Sequence, residues 1–159
     1  MLTPRLFDHK PIAVLGLGKS GLAASKRLQD ADIDVWAWDE HPDRRAQAKE
    51  QGITIINLHH QPLDRVAALV LSPGIAHLGV QSHPVARRAK EVQIEIISDI
   101  EILGRAYPDT SFLGVTGTNG KSTTTALIGH LMTKAGYRIG VGGNIGIPAL
   151  SVCDPGPLG

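Results

Sequence analysis

The chain has 159 residues, 42% hydrophobic, 19% charged and only 4% aromatic, with a formal net charge of +1. That apolar fraction argues against a disordered chain. The near-neutral balance argues against a basic nucleic-acid groove, and no apolar run approaches the ~18 residues of a membrane helix. The length fits one domain, or one domain plus part of another. One cysteine, Cys153, makes no internal disulfide, and the N-terminus "MLTPRLFDHKP" has no apolar signal core. A cytoplasmic protein is expected.

In chain order, "PIAVLG" at 11–16 is predicted to be a buried strand, and 20–32 a helix with Leu22, Ala24, Leu28 and Ala31 at helical spacing. "DVWAWD" at 34–39 is the second strand. A polar helix runs from Pro42 to about Gln51, stopped by Gly52. "ITIINL" at 53–58 and "VAALVLS" at 66–72 are the third and fourth strands, the latter closed by Pro73-Gly74. A helix follows over 83–92, then a fifth strand at 94–98 and a short helix from Asp99 to about Tyr107. Short apolar runs alternating with helices predict an α/β fold with parallel strands and right-handed crossovers. Residues 1–108 are expected to form a Rossmann-like domain, with Pro108-Asp109-Thr110 as its boundary. Over 109–159 the pattern restarts as the incomplete beginning of a second domain. It has a strand at 111–117, a helix with Leu127, Ile128, Leu131, Met132 and Ala135 on one face, a short strand at 137–141, then "GGNIGIPAL" and a turn-rich tail.

Two glycine-rich loops carry the chemistry. In "GLGKSGLA", Gly16-x-Gly18-x-x-Gly21 follows a strand and opens a helix, the context a dinucleotide motif needs. Gly16 permits the tight turn, Gly18 lets backbone approach a diphosphate, and Gly21 lets the helix pack on the sheet. The helix N-terminus favours an anion. These glycines serve a plain strand–helix turn equally well. Asp39 ends the second strand where a ribose-binding acid sits, or else caps the helix starting near Pro42. Ser72, Pro73 and Gly74 lie at the same carboxyl edge, where open α/β sheets bind ligands. NAD is the default nucleotide on this motif alone.

In "GVTGTNGKSTTT", Gly120-Lys121-Ser122 matches the end of a phosphate-binding loop, although Val115 stands where the strict pattern has glycine. N–H groups over 117–122 can form an anion nest. Gly117, Thr118, Asn119, Gly120, Lys121, Ser122 and Thr123 are therefore the candidate phosphate-binding residues. Lys121 neutralises β- and γ-phosphate charge, and Ser122 is placed for Mg²⁺, with Thr123 assisting. A helix cap explains Thr118 or Ser122 without a ligand, but not Gly-Lys-Ser between a strand and a helix. The histidines, His9, His41, His59, His60, His77, His83 and His130, show no ligand spacing and read as surface or structural.

"GLGKSGLA", "SPGI" at 72–75, "GVTGTNGKSTTT" and "GGNIGIPAL" occur in an order and spacing that resemble the N-terminal part of the Mur ligases over essentially the whole chain. "SPGI" after a Rossmann-like domain points towards the D-glutamate-adding branch. The resemblance implies an ATP- and Mg²⁺-dependent amide ligase of peptidoglycan synthesis. Its first domain would bind a UDP-sugar, UDP-N-acetylmuramoyl-L-alanine, rather than NAD, and D-glutamate would be the incoming amino acid. By motif position, Gly18, Lys19 and Ser20 would meet the diphosphate, Asp39 the uridine, Ser72 and Gly74 the opposite wall, and Lys121, Ser122 and Thr123 ATP and Mg²⁺. Asn144 would reach towards the UDP-sugar, unless it only makes a left-handed turn. Glu40-His41 puts an acid where a neutral or basic residue suits a uridine ligand better. Arg44 and Arg45 follow as basic substitutes. The family's later Mg²⁺ ligands, carbamylated lysine and amino-acid-binding domain have no counterpart in these residues. The chain alone is therefore expected not to ligate. Alternatives are another Mur-type ligase, an NAD-binding oxidoreductase module, or a stand-alone phosphate-loop domain. About 50 residues after Pro108 are too few to bury a core alone.

Overall fold

The computed structural model describes residues 2–143 and 146–152. Its centre is a four-stranded parallel sheet formed by β1 (Ile12–Leu15), β2 (Val35–Trp38), β3 (Ala68–Leu71) and β4 (Glu95–Ile97), in the order β2-β1-β3-β4. In register, Ile12 faces Val35 on one side and Ala68 on the other, and Ala68 faces Glu95.

Successive residues of a strand point to opposite faces, and here both faces are covered. Ile12, Val14, Val35, Ala37, Val70 and Ile97 pack with Ala24 and Leu28 of α1 (Lys19–Gln29) and Ile102 of α4 (Asp99–Ala106). Ala13, Leu15, Leu69 and Leu71 face the other way, against Val85, Ala86 and Ala89 of α3 (Pro84–Glu91). That explains why β1 and β3 read as unbroken apolar runs. Pro42 and Pro84 begin α2 (Pro42–Glu50) and α3, where a missing N–H costs nothing. The Ser98 hydroxyl caps α4 by accepting from Glu101 N–H.

The expected strand at 53–58 is reduced to one parallel bridge, Ile55 with Ala37 of β2. Beyond it the chain turns away. The Arg88 guanidinium then takes over, donating to the carbonyls of Leu58 (2.9 Å), His59 (2.6 Å) and Gln61 (2.8 Å). A side chain here supplies donors that a neighbouring strand would otherwise supply.

The second glycine loop does precede a helix, α5 (Lys121–Lys134). The expected strands at 111–117 and 137–141 are not formed, and no strand is assigned there. Phe112, Leu113, Leu127, Leu131 and Tyr137 are exposed, so the apolar face foreseen for α5 is uncovered. A parallel strand needs a neighbour to satisfy its backbone, and none lies beside these runs. The chain then returns to the first unit: Ala149 and Leu150 are buried in a 3-10 turn, Ala149–Ser151, packed on α1 and α4. No helix among the described residues is long and apolar enough to cross a membrane.

Candidate functional site

The sheet order places β1 and β3 side by side with their connections leaving in opposite directions, so a crevice opens at their carboxyl ends. The first glycine loop fills one side. Gly16 has φ +91°, a conformation that favours glycine. A Cβ on Gly21 would lie 1.8 Å from the Gly16 carbonyl oxygen. Gly18 differs. Its φ is −69°, and an added Cβ would meet no protein atom within 4 Å. The fold therefore requires glycine at 16 and 21 but not at 18, which faces open space.

Ser72 closes the other side. Its hydroxyl donates to the Gly16 carbonyl at 2.7 Å, and its N–H bonds Leu15 O at 3.0 Å. The serine is thus a clasp between the ends of β1 and β3 as well as a wall. The returning segment forms a roof. Gly18, Lys19, Ser20, Ser72, Pro73, Gly143, Gly146 and Pro148 together line a pocket of about 180 Å³. Asn144 lies outside the described residues, while Gly143 and Gly146 on either side of it line this pocket. Gly74 lines a larger depression of about 450 Å³ on the far side of the Ser72 turn, bounded by Ile97, Ser98 and Asp99. The smaller pocket is the candidate site, because three separate motifs meet there.

The roof is anchored by Leu150, 5% exposed in the same core cluster as Leu28 and Ile102. Leu150→Ala is expected to destabilise the protein by about 2–3 kcal/mol through the cavity it leaves. It should also raise amide exchange across 146–152, read by mass spectrometry.

Asp39 sits at the end of β2 and is buried. Its Oδ2 accepts Leu17 N–H at 2.7 Å and an Arg44 N–H at 3.3 Å, and its Oδ1 accepts His41 N–H at 2.8 Å. Burial pushes this carboxyl up. The His41 and Leu17 N–H groups and the Arg44 guanidinium outweigh that and hold it below the ordinary value. Asp39 is therefore a staple between the glycine loop and the β2–α2 turn. It does not cap α2, since the backbone N–H groups it accepts from, Leu17 and His41, both lie outside that helix. Arg45 lies 4.4 Å over the Trp38 ring and donates to the carbonyls of Asp39 and Glu40. Both arginines thus brace this corner, and the Arg44 side chain stays half exposed.

In the second loop, Gly120 precedes α5 with φ +75°, and no side chain caps the helix. Its first N–H groups are thereby left for an anion. Lys121 Nζ folds back onto the carbonyls of Gly117 (2.5 Å) and Thr118 (3.2 Å), while Ser122 and Thr123 are exposed. Unoccupied donors, a lysine and hydroxyls in the first turn fit a phosphate with a divalent cation.

One cluster has no signal in residue spacing. Glu40 Oε1 receives His59 Nε2 at 2.7 Å, His83 Nε2 at 3.1 Å and the Trp38 indole N–H at 3.3 Å. Two histidines read above as surface or structural, without ligand spacing, are neighbours around one carboxylate. These contacts hold Glu40 below the usual carboxylate range, against the opposing effect of burial, which is the largest single influence.

Fold and crevice together define a Rossmann-like α/β unit with a pocket at the carboxyl edge of its sheet. The family model for the Mur ligase MurD-like N-terminal domain matches residues 10–98, and the chain belongs to that family. It is 41% identical to the UDP-N-acetylmuramoylalanine--D-glutamate ligase of Paramagnetospirillum magneticum, over 96% of this chain and 33% of that protein. It is 45% identical to the ligase of the same name from Rhodospirillum rubrum, over 91% of this chain and 31% of that one. The Bartonella henselae ligase of that name is 39% identical, over 96% and 35%. The chain thus spans about a third of the length of these relatives.

Proposed function

We propose that this chain is the N-terminal part of an ATP-dependent ligase that joins D-glutamate to UDP-N-acetylmuramoyl-L-alanine in cytoplasmic peptidoglycan synthesis. Residues 1–108 form its UDP-sugar-binding domain, and 109–159 begin its ATP-binding domain. The observation that carries this reading is the meeting of Gly18, Lys19 and Ser20 with Ser72, Gly143, Gly146 and Pro148 around one pocket. The relatives' shared name supplies the substrate class.

In this reading the open face of Gly18 and the first turn of α1 receive the diphosphate, aided by the Lys19 charge and the Ser20 hydroxyl. Asp39 lies at the uridine end and acts by holding Leu17 and His41 in place. Ser72 forms the opposite wall, Gly74 lies beyond it on the other side of that turn, and Asn144 is a sugar contact by motif position alone. Lys121 leaves its own loop carbonyls to meet phosphate charge, with the N–H groups of Gly117 through Ser122 around it, and the Ser122 hydroxyl holds Mg²⁺. ATP with Mg²⁺ supplies the phosphoryl group that activates the substrate carboxylate, and the amine of D-glutamate then displaces it.

Calorimetry with UDP-N-acetylmuramoyl-L-alanine, UDP, NADH and ATP tests the reading. The UDP-sugar is expected to bind the unaltered chain and to fail with Gly18→Asp. Aspartate is a favourable residue before a helix, so the fold survives, but its charge opposes a diphosphate. Tight NADH binding with no uridine-nucleotide binding would sink the proposal.

A further inference from the structure

We propose that Glu40, His59 and His83 form a binding site for a borderline transition-metal ion such as Zn²⁺, separate from any Mg²⁺ at the second glycine loop. The three side chains come from three places: the end of β2, the irregular segment after Ile55, and the residue preceding α3. Their donor atoms, Glu40 Oε1, His59 Nε2 and His83 Nε2, all lie within 4.8 Å of one another. Ligands about 2.1 Å from a tetrahedral zinc stand about 3.4 Å apart. The two spacings to Glu40, 2.7 and 3.1 Å, are both shorter than that, so the side chains must spread by a few tenths of an ångström to admit an ion. Small side-chain rotations suffice to admit an ion.

The donor set also suits the ion. Two imidazoles and one carboxylate match zinc better than Mg²⁺ or Ca²⁺, which prefer all-oxygen shells. Glu40 is about half exposed, His59 31% and His83 18%. An ion can therefore enter from solvent and keep water in a fourth position. The backbone is fixed first: His59 N–H donates to Asn57 Oδ1, Arg88 holds the His59 carbonyl, and His83 N–H bonds Ala76 O. Such outer contacts hold metal ligands in place.

One contact makes the site self-reporting. His83 Nδ1 accepts Val85 N–H at 3.2 Å, so in the ion-free protein its ring proton sits on Nε2, facing Glu40. An ion at Nε2 moves that proton to Nδ1. Val85 N–H then loses its acceptor, and the first turn of α3 loosens when the metal binds.

The test uses the 159-residue chain titrated with ZnCl₂ by calorimetry, without nucleotide or Mg²⁺. One ion per chain is expected. His59→Gln, Glu40→Gln and His83→Asn should each weaken binding by roughly 10-fold or more, a loss even outer-shell substitutions can produce. Asparagine can still cap α3, so His83→Asn removes the ligand and keeps the helix start. His60→Gln, beside the cluster, should leave affinity unchanged. In the unaltered protein, zinc should speed amide exchange at Val85. Absence of saturable zinc binding up to millimolar concentration overturns the proposal, as does full affinity in His59→Gln or an unchanged Val85 exchange rate. None of these readouts involves the UDP-sugar, so this proposal stands or falls apart from the ligase reading.

Discussion

Gly21→Ala is expected to remove much of the protein's stability, because its added methyl would make the closest backbone approach among the described glycines. The added carbon would lie 1.8 Å from Gly16 O, 2.9 Å from Gly16 C and 2.5 Å from Ser72 Oγ. Two of these are backbone atoms, and Gly16 cannot retreat freely. Its positive φ is set by the turn, and its carbonyl is held by the Ser72 hydroxyl. Either α1 lifts off the sheet or the clasp breaks. Overpacking in a well-packed core costs about 1–3 kcal/mol, and a backbone collision lies at or beyond the upper end. Total stabilities run to about 5–15 kcal/mol. Urea unfolding should show a midpoint far below that of the unaltered protein. Gly18→Asp, three residues earlier, should unfold near the unaltered midpoint. Equal midpoints for the two variants would refute the distinction between a glycine the fold needs and one it does not.

Asp39→Asn is the second large effect. Asparagine is nearly isosteric but neutral, and one end is a donor. It cannot accept from Leu17, His41 and Arg44 together as the carboxylate does. Hydrogen bonds to a buried charge contribute about 1.5–3 kcal/mol each, so a net loss of about 3 kcal/mol is expected near neutral pH. The pH dependence has a definite sign. The folded-state pKa of Asp39 is depressed below the ordinary aspartate value. Its stabilisation is complete above the unfolded pKa and is lost as pH falls through the folded value. The stability gap between the unaltered protein and Asp39→Asn should be constant around neutrality and narrow below pH 3.8. A gap that widens on acidification would contradict the staple.

The parts of the fold written in local pattern were legible from the residues. "PIAVLG" and "VAALVLS" had to be strands buried on two faces, and the glycine spacing fixed the turn between β1 and α1. "ITIINL" has the same apolar character, yet it forms one bridge, because it lies outside β2 with no further strand beyond it. The runs at 111–117 and 137–141 show the same limit more strongly: strand propensity is realised only when a neighbour is present to pair with. The role of Asp39 as a staple was hidden because its partner, Leu17 N–H, lies 22 residues away and a backbone donor leaves no mark in the sequence. The Glu40 cluster was hidden for a related reason. His59 and His83 stand 19 and 43 residues from Glu40, and only the return of the chain to one corner of the sheet brings them together.

The guanidinium of Arg88 has a consequence for solubility. An open sheet edge is a template for aggregation, since its free N–H and C=O groups invite another chain. Beside β2 that invitation is withdrawn twice: Ile55 occupies the rim at a single point, and the three carbonyls that follow are already engaged by one charged side chain. The opposite rim, β4, is only three residues long. Lysine at position 88 would keep the charge but lose the fork that serves three acceptors. That exchange would leave the fold recognisable while making the protein prone to self-association at its β2 border.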